Sequence, residues 1–277
     1  MKMNSKSGFL TLPTAIVIAA AIIAIAIIWV FKPATPAVTT TKETVNTGPV
    51  ISIKPLTAAD HILGNPNAPI VMLEYSDTSC PYCRIFNTTM EKVMDTYGAT
   101  GTVAWAYRNY PLDTPDPQGN ILHPNANHES QAMECASEVG GNAKYWAYLK
   151  RLYEVTPSVT SSSPKGLDQS QLPIIAKYVG LDVAKFNACL DSGKMKEKII
   201  AQQLDATNAG VNGTPFTIFI LRKPAGKTMD EALSTLTVKM RLPSDLIYLS
   251  NDRMKLAMSG AMPYDVIRVL IEAILAN

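Results

Sequence analysis

The sequence predicts an α/β protein, in which a small sheet carries a helical insertion between its two halves and one transmembrane helix precedes it. Two observations lead to this prediction. Residues 9–31 contain no charged side chain. Beyond residue 59, the apolar segments follow the order strand, helix, strand, helical block, strand, hairpin and helix, which is typical of a sheet divided by an insertion. The 277 residues are enough for one or two domains with a sizeable core.

The uncharged N-terminal run is long enough to cross a membrane. As a helix, residues 9–31 would span about 34 Å, against a bilayer core of about 30 Å. Because Lys2 and Lys6 precede the run, the positive-inside rule places the rest of the chain outside the cytoplasm. A signal peptide cleaved near Ala34 or Ala37 is the alternative, although its apolar region is usually only about 7–15 residues. Both interpretations place the protein where disulfides persist.

A change of composition follows the apolar run. Residues 32–59 are rich in Thr, Val, Pro and Lys, which predicts an extended linker. Within it, residues 50–53 are predicted as a short edge strand. We therefore expect a membrane anchor over residues 1–31 and one domain over residues 60–277, with its helical insertion over about residues 127–209.

The charge and the supply of metal ligands argue against two classes of function. The net charge is +2, whereas a nucleic-acid-binding protein needs a basic patch that follows the phosphates. Three His and four Cys leave little room for a multinuclear metal centre. We expect neither a metal nor a cofactor.

The first half of the predicted sheet flanks a pair of cysteines. Residues 70–75 form a short, mostly apolar run after a turn that contains Pro, and they predict a buried strand. Helical spacing extends from Cys80 to Tyr97, with Pro81 at the first helical position, where its missing N–H costs nothing. Residues 103–107 predict the second strand.

The second half is predicted as a helical block over 128–209, a strand over 217–221, hairpin strands over 245–250 and 254–258, and a last helix over 264–275. Gly213, Thr214 and Pro215 introduce the strand that follows the block. The segment 222–251 fits no recognised motif, and we expect it to be a surface decoration or a contact for a partner.

The clearest chemical signal is the pair Cys80 and Cys83, with Pro81 and Tyr82 between them. A Cys at a helix start faces unpaired N–H groups and the positive end of the helix dipole, which lower its pKa from about 8.5 toward 3.5–7.5. The thiolate is the nucleophile of disulfide exchange, and this spacing lets the second sulfur close a small ring onto the first. We therefore predict a redox-active dithiol.

Two other interpretations of the Cys pair are weaker. A zinc site of this kind would need a second close pair of Cys or His, whereas Cys135 and Cys189 are isolated from each other. A purely structural disulfide across so short a loop would constrain the unfolded chain little.

At five places the sequence resembles the thioredoxin-fold thiol–disulfide oxidoreductases, in particular the DsbA-like proteins of bacterial envelopes. The matching segments are Asp-His-Ile-Leu-Gly-Asn-Pro at 60–66, Cys-Pro-Tyr-Cys at 80–83, His-Pro-Asn-Ala at 123–126, Gly-Thr-Pro-Phe at 213–216 and Ser-Gly-Ala-Met-Pro at 259–263. The resemblance covers most of residues 57–277. It implies a thioredoxin fold with an inserted helical domain.

The resemblance also implies roles for individual residues. Cys80 corresponds to the exposed nucleophile and Cys83 to the buried resolving thiol. Thr214 and Pro215 correspond to the cis-proline turn that faces the pair and receives the substrate backbone. Glu74 corresponds to a buried acid that could accept the proton of Cys83. An ordinary strand carboxylate that faces solvent fits the pattern of Glu74 equally well.

The two residues between the cysteines leave the direction of catalysis open. Pro81 and Tyr82 are expected to support the active site, but Tyr82 stands where the strongly oxidising family members have His. A cationic neighbour for the thiolate is therefore absent from the motif. Cys-Pro-Tyr-Cys is also the motif of glutaredoxins, which are more reducing.

We predict that Cys135 and Cys189 form a second, structural disulfide within the helical block. The compartment is oxidising, two Cys remain outside the motif, and a free thiol near an active dithiol invites wrong pairing. Some DsbA-like relatives resemble this chain in having a disulfide there. Two buried free thiols are the alternative, because Cys is often buried without bonding.

Together these features predict a membrane-anchored protein disulfide oxidoreductase that introduces disulfides into secreted proteins. Its substrates would be unfolded or thiol-containing extracytoplasmic proteins, and the resemblance implies reoxidation by a quinone-linked membrane partner. A reductase or isomerase of the same fold is the first alternative. A Cu(I)- or zinc-binding module that uses the same thiolates is an alternative of another class.

Overall fold

The computed structural model describes residues 50–157 and 166–276. The strands are β1 (His61–Leu63), β2 (Ile70–Ser76), β3 (Val103–Asn109), β4 (Phe216–Leu221), β5 (Ile247–Leu249) and β6 (Lys255–Ser259). The helices are α1 (Pro81–Val93), continued by a π-helical turn over Met94–Gly98, α2 (Ala126–Gly140), α3 (Asn142–Val155), α4 (Gln171–Tyr178), α5 (Val183–Asp191), α6 (Lys196–Asn208), α7 (Lys227–Val238) and α8 (Tyr264–Leu275). The strands form one mixed sheet in the order β1-β3-β2-β4-β6-β5.

Strand β2 lies in the middle of the sheet, parallel to β3 and antiparallel to β4. Every residue of β2 and β3 is buried, because core clusters lie on both faces of the sheet. Met72 and Trp105 pack into the larger cluster, whereas Val71 and Leu73 pack into the smaller one. Burial on both faces is the reason why the β2 segment is mostly apolar in sequence instead of alternating between apolar and polar residues.

The helices form two groups around this sheet. Helices α1, α7 and α8 pack together, and they contribute apolar side chains to the larger core cluster. Helices α2 to α6 are inserted between β3 and β4, and α6 packs against β3. The insertion predicted over about residues 127–209 therefore coincides with five helices that end at Asn208.

A disulfide joins two helices of the insertion. Cys135 on α2 and Cys189 on α5 are bonded with an S–S distance of 1.98 Å and a Cα–Cα distance of 5.7 Å. Both residues are buried, and the ring of Phe186 on α5 stacks against Tyr148 on α3, with ring centroids 5.5 Å apart. The pairing expected from the sequence is present in the structure.

Residues 50–53 do not form the predicted edge strand. Instead, Ile51 is buried, and the backbone N–H of Lys54 donates to Oδ1 of Asp205 at 2.7 Å. The guanidinium of Arg108 bonds the carbonyl oxygen of Lys54 and the carboxylate of Asp205. A buried guanidinium needs several hydrogen-bond acceptors around it. By using the carbonyl oxygen of Lys54 as one of them, Arg108 holds this last part of the predicted linker against the domain.

The segment 222–251 is not a surface decoration. It contains α7, which packs against α8 and buries Met229 and Leu236 in the larger core cluster. The hairpin that follows has shorter strands than the sequence indicated, over Ile247–Leu249 and Lys255–Ser259. The amphipathic pattern of this helix, and not a motif, is the sequence feature that indicates a buried face.

Within residues 50–157 and 166–276, no helix has both the length and the apolar character that a membrane crossing requires. The predicted anchor over residues 9–31, the alternative cleavage site and residues 32–49 of the predicted linker lie outside the described residues.

Candidate active site around Cys80 and Cys83

The turn after β2 places Cys80 at the start of α1. Cys80 has extended backbone geometry (φ −75°, ψ 123°), and Pro81 takes the first helical position. The N–H of Cys80 donates to the carbonyl oxygen of Asp77 at 3.1 Å, which closes the turn. The Asp77 carboxylate accepts a hydrogen bond from the N–H of Ser79 at 2.7 Å. The sulfur of Cys80 is thereby fixed beside the N–H groups of the first helical turn.

Cys80 lies in the wall of a cavity of about 500 Å³ and is less exposed than the family resemblance implied. Only 6% of the residue is exposed, because the turn before β4 lies against the start of α1. The Sγ atom is 3.5 Å from the carbonyl oxygen of Thr214, and the Thr214–Pro215 peptide bond is cis. A reaction partner must therefore reach the sulfur through the cavity.

The thiols of Cys80 and Cys83 have opposite pKa shifts. A hydrogen bond from Cys83 lowers the pKa of Cys80 to about 6 against the opposing effect of burial, and the backbone N–H groups of Tyr82 and Cys83 contribute. Complete burial raises the pKa of Cys83 well above its usual value, and the negative charges of Cys80 and Glu74 raise it further. At neutral pH, Cys80 is therefore a thiolate and Cys83 a thiol.

Glu74 lies in the protein interior next to this pair and does not face solvent. The residue is 1% exposed, and its Oε2 accepts a hydrogen bond from Nε1 of Trp105 at 2.9 Å. Burial raises its pKa to about 7. Its Oε1 has no hydrogen-bond partner among the described residues. A carboxyl group that titrates near neutrality can both donate and accept a proton during catalysis.

The cavity also includes residues that the sequence did not assign to the site. Leu112 and Leu122 form an apolar part of its wall, and His123 lies beside them. Tyr82 contributes to the rim and is 64% exposed. The sequence could have indicated His123, because it belongs to one of the segments that carry the family resemblance. Nothing in the sequence distinguished Leu112 or Leu122 from core leucines.

The arrangement meets the geometric needs of thiol–disulfide exchange. It combines a stabilised thiolate, a neutral thiol three residues further on and a buried carboxyl group that can move a proton. The cavity leads to the thiolate. Within the described residues, no group of three or more His, Cys, Asp or Glu is placed to hold a metal ion.

A family model described as thioredoxin matches residues 56–237 of the chain. This match includes the Cys pair, the cis-proline turn and the whole helical insertion. It therefore spans most of the described domain.

Solved structures share this fold at low sequence identity. Alpha-DsbA1 from Wolbachia pipientis is 21% identical, with a TM-score of 0.58, and the match covers 80% of this chain and 93% of that one. BdbD from Bacillus subtilis is 16% identical, with a TM-score of 0.59, and the match covers 83% and 100%. Alpha-DsbA2 from Wolbachia pipientis is 16% identical, with a TM-score of 0.53, and the match covers 78% and 87%.

Curated relatives include larger proteins of another kind. The Na(+)/H(+) antiporter NhaA 1 of Mycolicibacterium gilvum is 26% identical over 163 residues, which are 58% of this chain and 23% of the antiporter. The chain thus matches about a quarter of the length of these relatives. The family model and the solved structures agree on one assignment. The chain belongs to the thioredoxin family and has the DsbA-like form of its fold.

Proposed function

We propose that this protein is a membrane-anchored, extracytoplasmic thiol–disulfide oxidoreductase that introduces disulfides into secreted proteins. The observation that carries the proposal is the placement of the Cys pair: Cys80 lies at the start of α1 in the wall of the cavity, and Cys83 is completely buried three residues further on. Stabilising the Cys80 thiolate also stabilises the reduced pair, which makes the corresponding disulfide more oxidising. The alpha-DsbA2 structure, which shares the fold, is that of a thiol-disulfide exchange protein.

In the proposed reaction, a substrate thiolate attacks Sγ of Cys80 in the Cys80–Cys83 disulfide. The S–S bond breaks, a mixed disulfide forms at Cys80, and Cys83 leaves with the electron pair. Glu74, which titrates near neutrality, supplies the proton that Cys83 takes up. A second substrate thiolate then attacks the substrate sulfur of the mixed disulfide, and Cys80 leaves as a thiolate. The substrate has lost two electrons, and the enzyme dithiol holds them.

The partners and the location follow from the same proposal. The substrates are unfolded or thiol-containing extracytoplasmic proteins, and a quinone-linked membrane protein takes up the two electrons. The uncharged run of residues 9–31 supports the anchor, with Lys2 and Lys6 on its cytoplasmic side. Membrane fractionation and protease access from outside test the location. A mature N-terminus near Ala37 would contradict the membrane anchor, and it would support a protein that is exported and released by cleavage of a signal peptide.

The direction of catalysis is tested by the equilibrium of the Cys80/Cys83 pair with glutathione. A reduction potential of about −120 mV supports the oxidase, and one of about −270 mV supports a reductase. In parallel, Cys83→Ala should accumulate mixed disulfides through Cys80, because the resolving thiol is missing, and Cys80→Ser should form none. If Cys83 reacted faster than Cys80 with an alkylating agent, the assigned roles would be wrong.

A reductase or isomerase of the same fold is the second candidate. The specific observation in its favour is Tyr82, which puts no positive charge between the two cysteines. The same potential measurement decides between the two candidates, and metal stoichiometry of the purified reduced protein tests the thiolate metal-binding module.

A further inference from the structure

His123 shares the active-site cavity with Cys80, although the two residues lie in different parts of the chain. Both line the cavity of about 500 Å³, Cys80 from the start of α1 and His123 from the loop before α2. The side chain of His123 is 11% exposed. None of the steps of the proposed exchange reaction involves His123.

Asp77 determines how the imidazole is held. Nδ1 of His123 is 2.9 Å from Oδ2 of Asp77, whose side chain is completely buried. The same carboxylate accepts hydrogen bonds from the N–H groups of Leu112 and Ser79, each at 2.7 Å. These hydrogen bonds hold the carboxylate in a fixed position beside the ring of His123. Since Nδ1 is engaged, Nε2 is the ring nitrogen left without a hydrogen-bond partner among the described residues.

The surroundings of His123 favour its protonated form. Burial by itself lowers the pKa of His123, but the hydrogen bond and the charge of Asp77 outweigh it and raise that pKa above the usual value. The charges of Cys80 and Glu129 act in the same direction. These groups come from the turn before α1, from the start of α1 and from α2, and all of them are acidic. The groups around the imidazole thus favour its protonated form over its neutral form.

We propose that His123, held by Asp77, is the cationic neighbour that stabilises the Cys80 thiolate and thereby favours the reduced form of the Cys pair. The inference rests on the proposed redox function of Cys80. Tyr82 supplies no positive charge inside the motif, and the proposal assigns that charge to His123, which lines the same cavity as Cys80. His123 acts through the electrostatic potential at Cys80 and is a positioning residue in this sense.

The test measures the rate at which Cys80 is alkylated in the reduced protein, as a function of pH. An opposite charge nearby lowers a pKa by about one unit or more. With a starting pKa of about 6 for Cys80, His123→Gln should leave about fivefold less thiolate at pH 6 and no difference above pH 9. The equilibrium with glutathione at pH 7 should move by about the same factor toward the oxidised enzyme.

His128→Gln is the matched control, because His128 is an exposed residue on α2 that pairs with Gln169. This variant should keep the pH profile of the wild-type protein. A His123→Gln profile within twofold of the wild-type profile at pH 6 would overturn the proposal. The rate at which the oxidised wild-type protein forms a disulfide in a dithiol peptide is measured alongside. This rate tests the proposed function separately, since disulfide formation can persist without any contribution from His123.

A measurement on the unaltered protein keeps the proposal testable if His123→Gln does not fold. The chain has three His, so their NMR signals can be assigned with few variants. Because the coupling between His123 and Cys80 is reciprocal, His123 should titrate at higher pH in the reduced protein than in the oxidised one. Identical titration of His123 in both redox states would overturn the proposal.

Discussion

Replacing Glu74 by Gln should remove a pH dependence from the stability of the protein. The pKa of Glu74 rises from 4.5 to about 7 because the carboxyl group is buried. Between these values the native state holds a proton that the unfolded chain has released, so stability falls as the pH rises. At 1.36 kcal/mol for each pKa unit, the full effect is about 3 kcal/mol, of which about 2.5 kcal/mol is lost between pH 5 and pH 8. Gln has no titratable proton, so the Glu74→Gln variant should not lose this part of its free energy of unfolding.

The assay is denaturant unfolding at pH 5 and pH 8 in a Cys80→Ser, Cys83→Ser background, in which neither active-site thiol titrates. The stability of Glu74→Gln relative to its parent should rise by about 2.5 kcal/mol from the lower to the higher pH. Glu231→Gln is the control, because Glu231 is exposed on α7, and it should follow the parent at both values. If Glu74→Gln and the parent lost the same stability over this range, the reasoning from burial would be refuted.

Three other variants test the packing of the domain by equilibrium unfolding. Joint replacement of Cys135 and Cys189 by Ala should lower the free energy of unfolding by about 4 kcal/mol, since the disulfide closes a loop of 54 residues; a loss below about 1 kcal/mol would contradict this. Arg108→Met should cost about 3 kcal/mol at pH 7, because it leaves the buried carboxylate of Asp205 without its cation. A neutral result for Arg108→Met would show that water replaces the guanidinium. Met229→Ala should cost about 2–4 kcal/mol, because the side chain of Met229 is completely buried in the core; a loss within about 0.5 kcal/mol, typical of a surface position, would contradict this.

The sequence by itself determined the elements whose signals are local. Pro81 after Cys80 marks a helix start, the apolar run at 70–75 marks a buried strand, and the helical block follows from its spacing. The family resemblance drawn from five short segments is confirmed by the match over residues 56–237. These signals can be read from the sequence because each depends on neighbours within one or two helical turns.

The tertiary structure alone decided which polar groups surround the thiols. Whether Glu74 faced solvent or the interior depended on what covers each face of β2, and both faces are covered. The contact between Asp77 and His123 joins residues 46 apart in the chain, and the Thr214 carbonyl that lies over Cys80 is 134 residues away. Such contacts form because the loop before α2 and the turn before β4 both fold back to the start of α1. The charge around Cys80 is therefore a property of the assembled domain, since electrostatic interactions depend on distance in space and not on separation along the chain.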